Sequence, residues 1–465
     1  MLFRSFALAL LAALPAPSLA QALTPTESAA VDTLVGEALT DTGVPSASIA
    51  IVRAGRIVFT KAYGKQSERG GAPDPRAPYQ IASVSKQFTA AAMLLLEDEG
   101  KLSLSDTVAK YIPGVTGGDR ITIRQLLSHT SGLRDYWPQD YSFPAMATPT
   151  TPQGIVDRWA KAPLDFEPGT QWQYSNTGYV VAGMIVEKVA RQPLLAFLQT
   201  RVFKPLAIRA LDQDEAVSSG FPQGYKRFAL GPVRPETPAA KGWLYAAGEL
   251  AMSAEDLAKW DVARLDRALL PADDWVAQET PVRLADGAST SYGLGVFANI
   301  RDGRRFVEHG GEAVGFLSEN IVYPDDRAAV VVLVNAWFGD AHVRIAQGIA
   351  KAVLPPPAAS TDDATALASA RAVFDGLRSG TLDSAKLTEN ARSYFTETAR
   401  SDYRTSLGTL GEPVSFAQTG RARLRGGFVN RTYRATFATR AVTISTYAEP
   451  GGTRRYEQFL VSPAQ

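Results

Sequence analysis

Ser83-Val84-Ser85-Lys86-Gln87-Phe88-Thr89-Ala90-Ala91-Ala92-Met93-Leu94-Leu95-Leu96-Glu97-Asp98-Glu99-Gly100 is the stretch around which the chain is organised. Residues 90–96 are strong helix formers, Gly100 fits a C-terminal stop, and residues 81–83 give the entry, so the pattern predicts one helix beginning near Ser83. This helix is apolar almost all round until Glu97, Asp98 and Glu99, which places it inside a domain rather than on a surface. Lys86 is conspicuous in such a setting. Residues three apart on a helix are neighbours, so the Ser83 hydroxyl and the Lys86 amine point the same way. Burial disfavours the charged lysine, which lets a neutral Lys86 take the proton of Ser83. The Ser83 backbone N–H, at the helix start, is placed to donate to an oxyanion. Alone, Ser-x-x-Lys is a weak signal, because a capping serine beside a snorkelling lysine gives the same pattern; its companions must decide.

Working outward, the N-terminus carries Arg4, an apolar run over residues 6–14, then Pro15, Pro17 and small residues. This layout predicts a signal peptide over residues 1–22, cleaved after Ala20 or Ala22, and hence an exported, periplasmic or secreted protein. An uncleaved anchor is the alternative, although the run is too short to span a bilayer, and no later stretch is long and apolar enough to do so. The chain has no cysteine, which excludes disulfides, thiolate nucleophiles and cysteine metal sites. A formal net charge of +1 and a charged fraction of 20% give no general field for nucleic acid or membrane. The 465 residues, 45% of them hydrophobic, can fill a large core.

Residues 26–40 read as a helix ended by Asp41-Thr42-Gly43-Val44-Pro45, and residues 48–52 and 57–63 as a hairpin feeding a sheet. Residues 121–127 lead into the polar turn Ser128-His129-Thr130-Ser131-Gly132-Leu133. Residues 135–152, rich in Pro, Tyr and Thr, read as a long loop that borders a cleft. A helix over 177–190 follows Gln173-Tyr174-Ser175-Asn176, and Ser253 caps another from Ala254. Residues 305–309, 318–323 and 328–335 are strand-like, and 343–354 are helical. Pro355-Pro356-Pro357 and the small and acidic residues to Asp363 form a semi-rigid linker. Beyond it, helices over 364–379 and 383–400 precede strands over 416–424, 428–437, 441–448 and 456–461, a small α+β unit with its own core.

The order Ser83-Val84-Ser85-Lys86, Tyr174-Ser175-Asn176, His309-Gly310-Gly311 resembles the serine β-lactamase and penicillin-binding protein superfamily, in particular class C β-lactamases, D,D-carboxypeptidases, D-aminopeptidases and family-eight esterases. Residues 127–133 and Tyr292-Gly293-Leu294-Gly295 match secondary stretches of that family. The resemblance covers residues 23–354. It implies an α/β β-lactamase/transpeptidase-like fold, an antiparallel sheet flanked by helices plus an all-helical region, with the site between them. It implies Ser83 as the acylated nucleophile, Lys86 as the amine sharing its proton, and Tyr174 as general base and acid, a phenolate being stabilised beside a lysine ammonium. Asn176 would donate to the substrate carbonyl, and the N–H groups of Ser83 and Glu312 would form the oxyanion hole. Gly310 and Gly311 let their strand approach substrate closely.

His309 stands where many β-lactamases carry a lysine that binds the drug's carboxylate. An unperturbed histidine titrates near pH ~6.5, so His309 is expected to hold a substrate carboxylate with a charge that fades above that pH. This favours peptidase and esterase relatives over an efficient β-lactamase. The plainer readings are that Tyr174 and Asn176 cap a helix, that His129 is structural within its turn, and that His342 is a surface residue. With three histidines scattered along the chain, a metal site is not expected, and no cofactor is implied. The unit over 364–465 resembles a nuclear-transport-factor-two-like domain. Arg421, Arg423 and Arg425 share a strand face there, with Arg431, Arg434, Arg440, Arg454 and Arg455 nearby, a solvated face or an anion-binding surface. The expected function is an exported serine hydrolase acting through an acyl-enzyme on an ester or amide, with a small molecule or peptide as substrate. The alternatives are a β-lactamase and a catalytically silent peptidoglycan- or partner-binding protein.

Overall fold

A computed structural model of the chain describes residues 22–137, 143–219, 222–301, 303–354, 361–419, 422–451 and 454–464. The expected signal peptide and most of the linker lie outside these residues. The chain divides into two compact units, residues 1–300 with 305–355, and residues 356–465 with 301–304.

In the first unit, helix α1 (Pro25–Thr42) begins where Thr24 and Glu27 form a reciprocal capping box, and it stops at Gly43 in the left-handed conformation. Strands β1 (Ser46–Arg53) and β2 (Arg56–Gly64) form the expected hairpin, closed by Ala54 and Gly55, both at positive φ. Helices α2 (Lys86–Asp98), α3 (Asn176–Ala190) and α4 (Ala254–Asp266) follow, the last capped by Ser253 as expected. Strands β3 (Phe297–Arg301), β4 (Arg304–Ala313), β5 (Phe316–Tyr323) and β6 (Ala328–Val334) and helix α5 (Ala341–Val353) complete the unit.

The six strands form one sheet in the order β2-β1-β6-β5-β4-β3. The pairings from β2 across to β4 are antiparallel. Successive side chains of a strand point to opposite faces, and both faces here are covered. Ile49, Ile51, Val330 and Val332 pack with Val31 and Val35 of α1 and Ile345 and Ile349 of α5. Ala50, Val52, Val331 and Leu333 face the larger core that holds Leu257 and Trp260 of α4 and the apolar residues of α2. The double cover explains why β6 is apolar throughout and why β1 is built of small and apolar residues from Ser46 to Val52. Helix α2 is buried from Lys86 to Leu96, with Phe88 against Trp260 at 4.7 Å between ring centroids. Gly100 closes it at positive φ, its N–H donating to Glu97.

The helix does not begin at Ser83. Residues Ala82–Ser85 form a 3₁₀ turn, and the α-helix starts only at Lys86. Ala82 sits at φ 51°, a left-handed conformation that costs a non-glycine residue energy and prevents a continuous α-helix from entering through it.

The second unit holds helices α6 (Thr361–Ser379), α7 (Glu389–Tyr394) and α8 (Glu397–Gly408) and strands β7 (Ser415–Gln418), β8 (Arg423–Arg425), β9 (Phe428–Thr436), β10 (Ala441–Ala448) and β11 (Tyr456–Pro463). The sheet order is β7-β9-β10-β11, with β8 pairing on β9. Tyr433, Ala435 and Phe437 point inward onto Val373, Phe374 and Leu377 of α6. The single helix expected over 383–400 is instead a short turn and two helices, because Thr388 and Thr396 each cap a new N-terminus, accepting from the N–H of Ala391 and Ala399. Arg431 is not part of a solvated basic face: it is buried and donates to Asp363 at 2.9 Å.

Candidate active site

The turn that carries Ser83 is held from both sides. Ile81 donates its N–H to Leu250 and accepts from the Ser318 hydroxyl at 2.9 Å, while the N–H of Leu250 donates to the Ser85 hydroxyl. A Cβ on Gly311 would stand 2.2 Å from both the Ile81 carbonyl and the Ser318 hydroxyl, and one on Gly248 would press on Ala82 at 3.3 Å. Gly311 thus lets β4 close on the turn beneath Ser83. At Gly310 a Cβ meets nothing closer than 3.6 Å, so its absent side chain leaves room rather than contact.

Lys86 is fully buried, and its Nζ lies 3.0 Å from Ser83 Oγ, 2.8 Å from Asn176 Oδ1 and 2.7 Å from the Ala247 carbonyl. Burial pulls its pKa down to about 7 against the opposing charge of Asp135. A neutral amine has two N–H donors and one lone pair. Asn176 Oδ1 and the Ala247 carbonyl can only accept, so they take both donors and leave the lone pair facing the Ser83 hydroxyl.

Asn176 is engaged differently from the sequence expectation. Its Oδ1 accepts from Lys86, its Nδ2 donates to Asp135 Oδ2 at 3.1 Å, and its N–H donates to Asp135 Oδ1 at 3.0 Å. The amide is a bridge between amine and carboxylate rather than a free donor to a substrate carbonyl. It is also not the helix cap; Ser175 is. Asp135 was missed by the sequence reading. Its only signal is its place at the start of the loop expected to border a cleft, and its partner Asn176 lies 41 residues away. Burial pushes the Asp135 carboxyl up from its ordinary range, opposed by the Trp137 N–H and the Lys86 charge.

Tyr174 brings its ring face to Lys86, whose Nζ stands 4.8 Å from the ring centroid. Among the described residues its buried hydroxyl makes no well-formed hydrogen bond. Desolvation drives the phenol pKa well above its ordinary value, and the neighbouring Ser83 hydroxyl offsets only part of the rise. The phenolate expected from the lysine's proximity is therefore not what this geometry stabilises. The His129 ring also packs on it, 4.1 Å away between centroids. His129, at φ 60°, accepts the Ser175 N–H on Nδ1 at 3.1 Å, and burial keeps it neutral.

His309 departs furthest from expectation. Its Nδ1 lies 2.6 Å from the Gly310 carbonyl, which can only accept, so Nδ1 carries the proton and Nε2 accepts from the Tyr292 hydroxyl at 2.9 Å. Both ring nitrogens are occupied within the protein. Burial and the Lys86 charge push its pKa down to about 3, so it carries no positive charge for a substrate carboxylate near neutral pH and no titration near 6.5.

Ser83, Asp135, Tyr174, Asn176, His309, Gly310, Gly311 and Glu312 line one cleft of about 390 Å³, walled by Trp137, Leu244, Phe297 and Leu317. His342 lines it too and is half-buried, not a free surface residue. Ala313 pairs with Phe316 across the two-residue turn Val314-Gly315, the hydrogen-bonded closing pair of a tight hairpin. Alternation along the ladder then turns the N–H of Glu312 away from β5, toward the outer edge of β4.

A family model described as Beta-lactamase matches residues 31–354. The chain belongs to the beta-lactamase family. Penicillin-binding protein 4* of Bacillus subtilis is 31% identical over 274 residues, covering 55% of this chain and 60% of the relative. Protein flp of Staphylococcus aureus is 30% identical over 66% of this chain and 62% of its own. The matches thus span about three fifths of these curated relatives. Among solved structures, a D-stereospecific amidohydrolase from Streptomyces is 31% identical with a TM-score of 0.58, covering 70% of this chain and 97% of that one. The octameric penicillin-binding protein homologue from Pyrococcus abyssi, at 22% identity and TM-score 0.58, shares the fold over 93% of this chain.

Proposed function

We propose that this beta-lactamase family member is an exported serine hydrolase that cleaves an ester or amide through an acyl-enzyme on Ser83. The observation that carries the reading is the buried Lys86 amine, 3.0 Å from Ser83 Oγ at the floor of an open cleft, with its two N–H donors already directed elsewhere. Neutral Lys86 accepts the Ser83 proton as Oγ attacks the substrate carbonyl carbon. The N–H groups of Ser83 and Glu312 receive the oxyanion. Tyr174, kept a phenol by burial, donates its proton to the leaving amine or alkoxide, and the proton taken up by Lys86 restores it. Water then attacks the acyl carbonyl, and Ser83 is released with its proton. Asp135 acts through Asn176, holding the amide whose Oδ1 fixes Lys86. A silent binding protein has no need of a desolvated amine aimed at a serine.

His309, neutral and internally bonded, supports the ester and amide reading over the β-lactam one. The amidohydrolase name of the Streptomyces relative points the same way. A panel of p-nitrophenyl esters, D-amino-acid anilides, D-Ala-D-Ala peptides and nitrocefin tests this. Turnover of esters or anilides that is lost in Ser83→Ala is expected, with nitrocefin slow. Nitrocefin as the best substrate overturns the preference, and no turnover of any member overturns the enzyme reading.

A further inference from the structure

His129 grips the chain on both sides of Tyr174. Its carbonyl accepts the Gln173 N–H at 3.0 Å, and its Nδ1 accepts the Ser175 N–H at 3.1 Å. Its ring packs on the Tyr174 ring at 4.1 Å between centroids, the two planes inclined by 33°. The same seam continues outward, where the Gly169 N–H donates to the Thr130 carbonyl at 2.8 Å and the Tyr179 hydroxyl to the Leu127 carbonyl at 2.6 Å. Residues 127–130 are thus bonded along residues 169–179, with Tyr174 near the middle of the seam. Keeping a histidine at this place is unfavourable in itself. It stands at φ 60°, uncommon for any residue but glycine, and it is only 1% exposed. Because Nδ1 accepts and burial keeps the ring neutral, the proton is on Nε2, which makes no well-formed hydrogen bond among the described residues. What the histidine supplies in return is an acceptor and a flat ring on one side chain, both applied to Tyr174 and its neighbour.

Resting on the serine-hydrolase reading, we propose that His129 is a positioning residue for proton transfer, holding the Tyr174 phenol in line with the departing group. It acts through Tyr174 and needs no contact with substrate. The three contacts fix what Tyr174 could otherwise vary: the two backbone bonds set where its Cα stands, and the imidazole limits the swing of its ring. A general acid displaced by a fraction of an ångström loses most where the leaving group cannot depart without a proton. An amide is such a case. A p-nitrophenyl ester is not, because its leaving group departs as a stable anion.

The test on the full-length protein is kcat/KM for a p-nitroanilide and a p-nitrophenyl ester of the same acyl group. His129→Ala is expected to lower the anilide value about tenfold or more and the ester value by less than about threefold. In a Tyr174→Phe background the same substitution is expected to lower the anilide value by less than about threefold, since residues acting as one unit are not additive. His129→Asn tolerates positive φ and returns an acceptor for the Ser175 N–H but no ring, so a smaller fall of a few-fold in the anilide-to-ester ratio is expected; it replaces the alanine variant in the cycle if that one does not fold. A merely structural histidine would lower both substrates alike. Equal losses on the two substrates, a wild-type ratio, or a loss undiminished beside Tyr174→Phe overturns the positioning role. If Tyr174→Phe alone lowers anilide and ester alike, the acid role of Tyr174 falls, and this inference with it. If neither substrate acylates Ser83, it is the serine-hydrolase reading that falls.

Discussion

Lys86 makes the sharpest demand on experiment at the level of single residues, because burial brings its pKa down to about 7 and so places its loss of charge near neutral pH. The base is active when neutral, so kcat/KM for a neutral ester is expected to rise with pH through one ionisation near 7 and then level off. Tyr174 adds no second ionisation in that range, since its phenol is held far above it. Tyr174→Phe is expected to lower kcat/KM by at least about a hundredfold for an anilide, whose leaving amine needs a proton, and less for a p-nitrophenyl ester, whose leaving group does not. A pH–rate profile flat from 6 to 8.5 contradicts the neutral-lysine assignment. The spacing of Ser83 and Lys86 could be read from the chain because both stand one helical turn apart. Asp135, the tautomer of His309 and the burial of His342 could not: each depends on partners brought together from distant stretches, and a pKa follows from desolvation that no spacing records.

Among the elements, the turn Ala82–Ser85 and strand β4 decide the site. The sequence indicated a helix near Ser83 but not the left-handed Ala82 that converts its first turn to 3₁₀, because an alanine carries no local signal for positive φ. It indicated a strand at 305–309 followed by two glycines of close approach, while β4 runs on to Ala313 and of the two glycines only Gly311 makes that approach. Gly311→Ala tests the clamp directly. Its Cβ would meet the Ile81 carbonyl at 2.2 Å, so the turn or the strand must shift. The expected outcome is a loss of about a hundredfold in kcat with the circular dichroism spectrum retained, since small displacements of a nucleophile cost that much. Gly310→Ala, with no neighbour nearer than 3.6 Å, is expected to cost far less in kcat. Equal losses from the two substitutions contradict this account of Gly311.

For the whole molecule, the sheet flanked by helices was legible through the family that the ordered motifs at Ser83, Tyr174 and His309 resemble rather than through the strands' own pattern, since the doubly covered β1 still carries Ser46, Ser48 and Arg53. The capped break at Thr396 in the second unit was not, because helical propensity runs through it and only the two threonine caps mark the restart. Each unit has its own core: the two large clusters of the first end by Leu354, and that of the second begins at Ala370. A fragment of residues 23–354 is therefore expected to fold and to retain ester hydrolysis within about threefold of the full chain. An insoluble fragment would show that the second unit completes the first. Acyl transfer through Ser83 leaves a covalent acyl group on that residue, which intact-protein and peptide mass spectrometry can observe after a rapid acid quench of a turning-over ester. The predicted result is one acyl increment per chain on the peptide containing Ser83, absent in Ser83→Ala and formed orders of magnitude more slowly in Lys86→Ala. Steady hydrolysis with no adduct in Ser83→Ala and wild type alike, or an adduct on any other residue, would contradict it.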